Sequence, residues 1–163
     1  MRPISHKMLN VHETAQWIHR QKMIGKSVVL TNGCFDILHR GHLEYLSTAR
    51  SLGDVLVIVV NGDNGVKELK GPSRPIFKAE DRAFMLASLE CVDMVTVVDK
   101  ARLDKEFGFL KPSIYVKGSD YSEDTLHKGE YSALKQNGCQ FRFVKLTSGY
   151  SSTSILERLK STW

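Results

Sequence analysis

The run Val55-Leu56-Val57-Ile58-Val59-Val60 constrains this chain more than any other segment. β-branched residues favour an extended backbone, and a strand points successive side chains to opposite faces. A strand that is apolar on both faces needs cover on both, as in a parallel sheet flanked by helices. The rest of the sequence supplies that cover. Residues 27–31, 94–98, 114–116 and 141–144 are further strand-like runs. Amphipathic stretches alternate with them: 41–52, closed by Gly53; 78–90, with Ala83, Leu86 and Ala87 near helical spacing; 124–137, closed by Gly138; and 152–160. Another helix is expected over 11–23, ended by Gly25. Residues 61–77, rich in Gly and Pro, read as a long loop, and long loops in compact domains carry function or disorder. Strands separated by helices of this length imply right-handed crossovers. The expected fold class is therefore α/β: a Rossmann-like, doubly wound, five-stranded parallel sheet in the order 3-2-1-4-5. Residues 1–25 are expected to form a helical extension and residues 26–163 a single domain.

Composition sets the outer limits. At 163 residues, with 42% hydrophobic and 25% charged, the chain has the make-up of one globular domain. No apolar stretch approaches the roughly 20 residues that span a bilayer, so no membrane role is expected. Three cysteines in odd number and wide spacing argue against a disulfide framework and for a reducing compartment, the cytoplasm by default. The net charge of +5 is scattered among acidic residues, without basic runs or interleaved aromatics. A small anionic ligand explains it without any nucleic acid.

The polar residues suited to chemistry follow the strands. Segments 32–42, 117–120 and 148–154 come after the first, fourth and fifth strands. In an open parallel sheet, ligands bind beyond the carboxyl ends of the strands where strand order reverses, so these three segments are expected to surround one cleft. His39 and His42 share one face at the start of a helix, whose free N–H groups and dipole attract an anion. Gly41 between them lets an anion approach the backbone. Other phosphate motifs fail. Gly25-Lys26-Ser27 precedes its strand and lacks the earlier glycine of a P-loop, and no Gly-x-Gly-x-x-Gly follows a strand. The histidine pair lacks the further Cys or His of a zinc site, so no protein-bound metal is expected.

Gly33-Cys34-Phe35-Asp36 followed by His39-Arg40-Gly41-His42 resembles the signature of the cytidylyltransferase-like nucleotidyltransferases. Ser151-Ser152-Thr153-Ser154-Ile155 is similar to that superfamily's second signature, a turn opening the last helix. Leu69-Lys70-Gly71-Pro72-Ser73-Arg74-Pro75, Glu80-Asp81-Arg82 and Val116-Lys117-Gly118-Ser119-Asp120-Tyr121 resemble the branch that adenylylates D-glycero-β-D-manno-heptose 1-phosphate. The resemblance implies attack of a sugar 1-phosphate oxygen on the α-phosphorus of ATP, with pyrophosphate leaving. It implies that His39 and His42 contact the triphosphate and that Lys70 neutralises α-phosphate charge. Thr153 and Ser154, with the amides of the last helix, would hold the β- and γ-phosphates, beside Ser152. Gly33, Cys34, Phe35 and Gly41 would shape the nucleotide turn, and Mg2+ would arrive on the phosphates, with Asp36 as a water-mediated contact. A homodimer is the assembly it implies.

Each further residue has two readings. Lys117 is either a solvated lysine or a phosphate contact; Asp120 is a cap or a reader of hydroxyls; Arg74 and Arg82 are surface charges or substrate residues. Gly62 and Ser119 depart from the branch's pattern, which more often has serine and glycine there. Members of this branch are often fused to a sugar kinase, and without one the sugar phosphate would come from a separate enzyme. Two other functions stay open: a CTP-dependent cytidylyltransferase acting on an alcohol phosphate such as glycerol 3-phosphate, and a non-catalytic nucleotide-binding module.

Overall fold

A computed structural model describes residues 4–147 and 149–161. Ser148, the first residue of the expected segment 148–154, lies outside them, as do the outermost residues of the expected regions 1–25 and 26–163. The strands are β1 (Val28–Gly33), β2 (Val55–Asn61), β3 (Met94–Val98), β4 (Ile114–Gly118) and β5 (Gln140–Val144). They form one parallel sheet in the order β3-β2-β1-β4-β5, as the sequence led us to expect. The helices are α1 (Val11–Met23), α2 (Arg40–Arg50), α3 (Asp63–Lys70), α4 (Ala79–Ala87), α5 (Asp104–Leu110), α6 (Lys128–Gln136) and α7 (Ser152–Ser161).

The apolar run that opened the argument is β2, and its alternation builds both halves of the core. Val55, Val57 and Val59 pack with Ile18 of α1, Phe107 and Leu110 of α5 and Leu134 of α6. Leu56, Ile58 and Val60 pack with Leu46 and Ala49 of α2 and Ala83 and Leu86 of α4. Burial of each such aliphatic side chain contributes about 1.5–3 kcal/mol, so the central strand anchors two layers of helices at once. The residues before β1 join the same core. Asn10 and Glu13 form a reciprocal capping box at the start of α1, and Lys7 Nζ donates to the Val92 carbonyl at 2.7 Å.

The sheet opens where strand order reverses. The β1–β4 register covers Val29 with Ile114 and Leu30 with Tyr115, whereas β1 runs on to Gly33 and β4 to Gly118. Side chains take over past that point. Tyr115 Oη donates to Asn32 Oδ1 at 2.7 Å, Lys117 Nζ donates to the Asn32 carbonyl at 2.9 Å, and Tyr45 Oη donates to the Val116 carbonyl at 2.9 Å. Backbone groups leaving a ladder need partners when buried, and these side chains provide them while the strands part.

Two helices were not legible in the sequence. The expected loop 61–77 contains α3, whose N-terminal turn is capped from a distance: Asp99 accepts from the Asn64 N–H at 2.8 Å. Gly62 and Gly65 are there for close approach. A Cβ on Gly62 would lie 2.5 Å from Asp99 Cα, and one on Gly65 would lie 2.2 Å from the Lys100 carbonyl oxygen. Helix α5 was likewise missed; it is seven residues long and carries an internal Gly108. The expected helix over 124–137 is confined to α6, and β4 extends through Lys117 and Gly118, which places the lysine on the strand.

Arg82, a candidate substrate residue in the sequence, is instead fully buried. Its guanidinium donates to the carbonyls of Cys34, Asn61 (2.8 Å) and Phe77 (2.9 Å) and to Asp63 Oδ1 (2.8 Å). It ties the ends of β1 and β2 to α3 and α4, and its polar hydrogens are spent on protein. Replacing it with an apolar residue strands buried carbonyls. Arg82→Met is expected to destabilise the fold by about 3 kcal/mol or more, read as a lower urea midpoint with an unchanged slope.

Candidate active site

A cleft of about 730 Å³ lies beyond the carboxyl ends of β1 and β4. Its walls are the β1–α2 turn with α2, the end of β4 with the following turn, and the start of α7. Lys70 at the end of α3 closes one side and the β3–α5 connection another.

The β1–α2 turn is held by buried ionic contacts. Asp36 is 1% exposed and accepts from the Ile76 N–H at 2.6 Å, from the Phe77 N–H at 3.3 Å and from the Arg74 guanidinium. The sequence reading placed Asp36 near magnesium and Arg74 near substrate. In the structure Asp36 lines the cleft with its carboxylate bonded to Arg74, which is 9% exposed and outside the cleft lining, so both favour a bracing role in the turn. Through them the turn after β1 grips the segment between α3 and α4. Phe35, with φ of 47°, turns its ring edge-on to His42 at 5.3 Å.

His39 and His42 stand at the start of α2. His39 is the N-cap, and its Nδ1 accepts from the His42 N–H at 3.3 Å. The rings stack at 3.8 Å with 16° between their planes. Burial, the neighbouring His39 and Lys70 lower the His42 pKa to about 4, and burial lowers that of His39. The two imidazoles are therefore neutral at pH 7 and face the cleft as hydrogen-bonding groups. Gly41 is pressed between elements: a Cβ there would lie 3.0 Å from Tyr150 Cβ and 3.2 Å from His39 Nδ1. Its missing side chain thus lets the segment before α7 close over the histidines, in addition to any room it leaves for an anion.

Lys117 and Asp120 reach the cleft from β4 and the turn after it. Burial pushes the Lys117 pKa down to about 8, and its Nζ stands 5.3 Å from the Tyr121 ring. Cys34 also lines the cleft, with burial raising its pKa, so the thiol stays protonated. On the third wall the cap of α7 is Ser151, whose Oγ accepts from the Ser154 N–H at 3.0 Å. Ser152 and Thr153 line the cleft. Ser154 does not; its Oγ donates to the Ser151 carbonyl at 2.9 Å. The structure thus brings together His39, His42, Lys70, Lys117, Asp120, Ser152 and Thr153 with the Gly33–Asp36 turn, and leaves out Arg74, Arg82 and Ser154.

A profile described as cytidylyltransferase-like matches residues 30–158, which includes every wall of this cleft. The chain belongs to that family. Curated relatives in it include the bifunctional protein HldE of Helicobacter pylori strain Shi470, 45% identical over 144 residues, covering 88% of this chain and 29% of the relative. HldE of strain J99 is 42% identical and covers 96% of this chain and 32% of the relative. HldE of Citrifermentans bemidjiense is 40% identical, with the same coverages. The chain thus spans about a third of the length of these relatives. A lipopolysaccharide core biosynthesis protein from Thermoplasma volcanium superposes with a TM-score of 0.62 at 30% identity, over 78% of this chain and all of that one. The cytidylyltransferase-like domain described here is a nucleotidyltransferase. Among the described residues, no helix is long and apolar enough to cross a membrane.

Several residues of the cleft were not picked out from the sequence. Asn32 and Tyr45 hold the parting strands, Tyr150 stacks near His39 at 6.1 Å, and Arg102, Tyr121, His127 and Glu130 form the far side. Asn32, Tyr121 and Tyr150 lie in segments the sequence singled out but were given no role, whereas Tyr45 lies within α2 and Arg102, His127 and Glu130 carry no motif of their own.

The His42 shift has a consequence for stability. An unfolded histidine protonates near pH 6.5, whereas the folded one waits until about pH 4. The His42 contribution is intact above pH 6.5 and is lost as pH falls toward 4, because the unfolded chain takes the proton first. Allowing for water at the ring, about 2 kcal/mol of wild-type stability should disappear across that window. His42→Asn should lack that component when urea midpoints are compared from pH 7 to pH 4.

Proposed function

We propose that this domain transfers AMP from ATP to a sugar 1-phosphate, with heptose 1-phosphate as the acceptor, giving ADP-heptose and pyrophosphate. The observation that carries the reading is the stacked, neutral His39–His42 pair at the start of α2, facing Lys70 and the start of α7 across one cleft. That arrangement suits a triphosphate. The N-terminal amides of α2 and α7 favour anions, and Lys70 supplies a mobile charge between them. The names of the HldE relatives and the Thermoplasma neighbour, together with the segments 69–75 and 116–121, support the heptose branch.

The reaction needs little covalent help. An oxygen of the acceptor phosphate forms a bond to the α-phosphorus, the bond from that phosphorus to the bridging oxygen of pyrophosphate breaks, and the electron pair leaves with pyrophosphate. Acceptor and leaving group are both anions, so no general base is required at the attacking atom. The protein's part is alignment and charge stabilisation. His39 and His42 donate hydrogen bonds as charge moves onto the phosphate oxygens, Lys70 follows the α-phosphate, and Ser152, Thr153 and the first amides of α7 hold the outer phosphates. Magnesium belongs to the nucleotide as part of the substrate. Both Asp36 oxygens are engaged by Arg74, Ile76 and Phe77, so the turn offers no carboxylate for a resident cation. Among the described residues, no group of three metal-ligating side chains occurs.

The direct test is pyrophosphate release with magnesium, ATP or CTP, and a panel of sugar and alcohol phosphates. Turnover with ATP and heptose 1-phosphate is expected; turnover confined to CTP and glycerol 3-phosphate would overturn the adenylyl assignment. His42→Ala should lose about 10²–10³-fold in kcat while unfolding at a normal midpoint near neutral pH. Wild-type turnover in that variant would remove the pair from the mechanism. The same reading takes the protein as a cytoplasmic homodimer, and light scattering checks the assembly.

A further inference from the structure

The cleft holds two cationic side chains that make no hydrogen bond or ion pair among the described residues, and they stand in different neighbourhoods. Lys70 acts electrostatically on Cys34 and His42, on the histidine side. Arg102 acts on Lys117 and Tyr121, on the side of β4 and the β3–α5 connection. Lys117, between them, is committed to the Asn32 carbonyl.

The backbone that carries Arg102 is unusually well held. On one side of it, Asn61 Nδ2 donates to the Lys100 carbonyl at 2.8 Å, and α3 packs so closely that Gly65 has no room for a Cβ against that same carbonyl. On the other, the Leu103 N–H donates to Glu130 Oε1 at 3.0 Å. Asn61 and Glu130 are both buried, as are Ala101 and Leu103 on either side of the arginine. Between them Arg102 is exposed and lines the cleft, whereas the neighbouring Lys100 is exposed but paired with Glu106 and outside the cleft lining. Two buried polar side chains thus fix an arch whose one cleft-lining charge is an unpaired guanidinium. A guanidinium fixed at its base and free at its tip is suited to grip a phosphate with two parallel N–H donors.

We propose that Arg102 binds the phosphate group of the acceptor, and so restricts this site to phosphorylated acceptors. The assignment rests on the nucleotidyl-transfer reading and divides the cleft's charge between two substrates. Lys70 and the histidines serve the nucleotide; Arg102 serves the attacking phosphate, with Lys117 beside it. The border of the same lobe suits a polyhydroxylated body attached to that phosphate. Asp120 offers a carboxylate there, and His127, paired with Asp104 at 3.1 Å, offers an oriented imidazole.

The test compares Arg102→Ala and Arg102→Lys with wild type. Arg102 is exposed, so the fold is not at risk, and two measurements keep the inference separable from the reading beneath it. In steady-state assays, Arg102→Ala should raise the KM for the sugar 1-phosphate about tenfold or more while leaving the KM for ATP within about twofold. Arg102→Lys should recover part of the loss, because an ammonium keeps the charge without the fork. In calorimetric titrations of protein saturated with α,β-methylene-ATP, glucose 1-phosphate should bind more weakly to Arg102→Ala by a similar factor, and glucose should bind to neither. Equal increases in both KM values, or an unchanged acceptor KM with unchanged sugar phosphate binding, overturns the assignment. Wild-type protein that turns over no sugar phosphate, yet loses sugar phosphate binding on Arg102→Ala, would sink the adenylyl-transfer reading and support the arginine's role. Wild-type protein that shows neither turnover nor binding would overturn both.

Discussion

The parting of β1 from β4 is the constraint on which the rest of this structure depends. Parallel strands that lie side by side along their whole length leave no cleft, and strands that part leave buried backbone groups without partners. Here the cost is met by side chains from β4 and α2. Tyr115 and Lys117 of β4 turn to Asn32, and Tyr45 of α2 turns to the Val116 carbonyl. Asn32, Tyr45 and Lys117 therefore both repair the sheet and line the site. Lys117 shows the coupling most clearly. Its ammonium is drawn inward to bond Asn32, and the burial that follows lowers its pKa to about 8. A lysine placed to close the sheet thereby becomes less hydrated than a surface lysine and better disposed toward an anion.

Around that opening, the charged residues divide into those that brace and those that reach. Asp36, Arg74 and Arg82 brace: each is buried, and each is bonded to protein. A buried ion pair contributes little net stability against a well-packed apolar alternative, but removing one partner is costly. What the Asp36–Arg74 pair supplies is a fixed relation between the turn after β1 and the segment that follows Lys70. Lys70 itself and Arg102 reach into the cleft. A motif read only as a set of ligand contacts merges the two groups, because bracing and reaching residues alternate along the same short segments.

That division explains what was legible in the sequence. The parallel sheet between two helix layers followed from patterning, since the β2 run needs cover on both faces, and the end of α1 was marked by Gly25. The histidine pair was readable because free N–H groups and imidazoles suit phosphate where a strand leads into a helix, whereas Lys70 came only from the resemblance of the segment 69–75. The rest depended on partners distant in sequence. Helix α3 was hidden because its cap comes from Asp99. Arg82 read as a surface charge or a substrate residue because three of its four acceptors are carbonyls, and carbonyls leave no trace in sequence. Arg102 went unremarked because its importance lies in the pinned backbone beneath it, held by Asn61 and Glu130 from elsewhere in the chain.

The charge state of the site bears on why it is built this way. A triphosphate site lined with fixed cations would hold ATP and pyrophosphate alike, and binding that is equal in ground and transition states does nothing for kcat. In the proposed transfer from ATP, the stacked histidines would avoid that. Burial keeps both neutral at pH 7, helped at His42 by the neighbouring His39 and Lys70, so they present oriented dipoles on a helix N-terminus that already favours anions. A neutral donor gains most when negative charge moves onto the oxygen it faces, as happens at the phosphate oxygens during transfer. Full positive charge sits on side chains of separate walls, Lys70 at the end of α3, Lys117 on β4 and Arg102 on its arch, which spreads it around the cleft. The neutral pair and the separated cations are thus two parts of one electrostatic arrangement, one that favours the moving charge over the standing one.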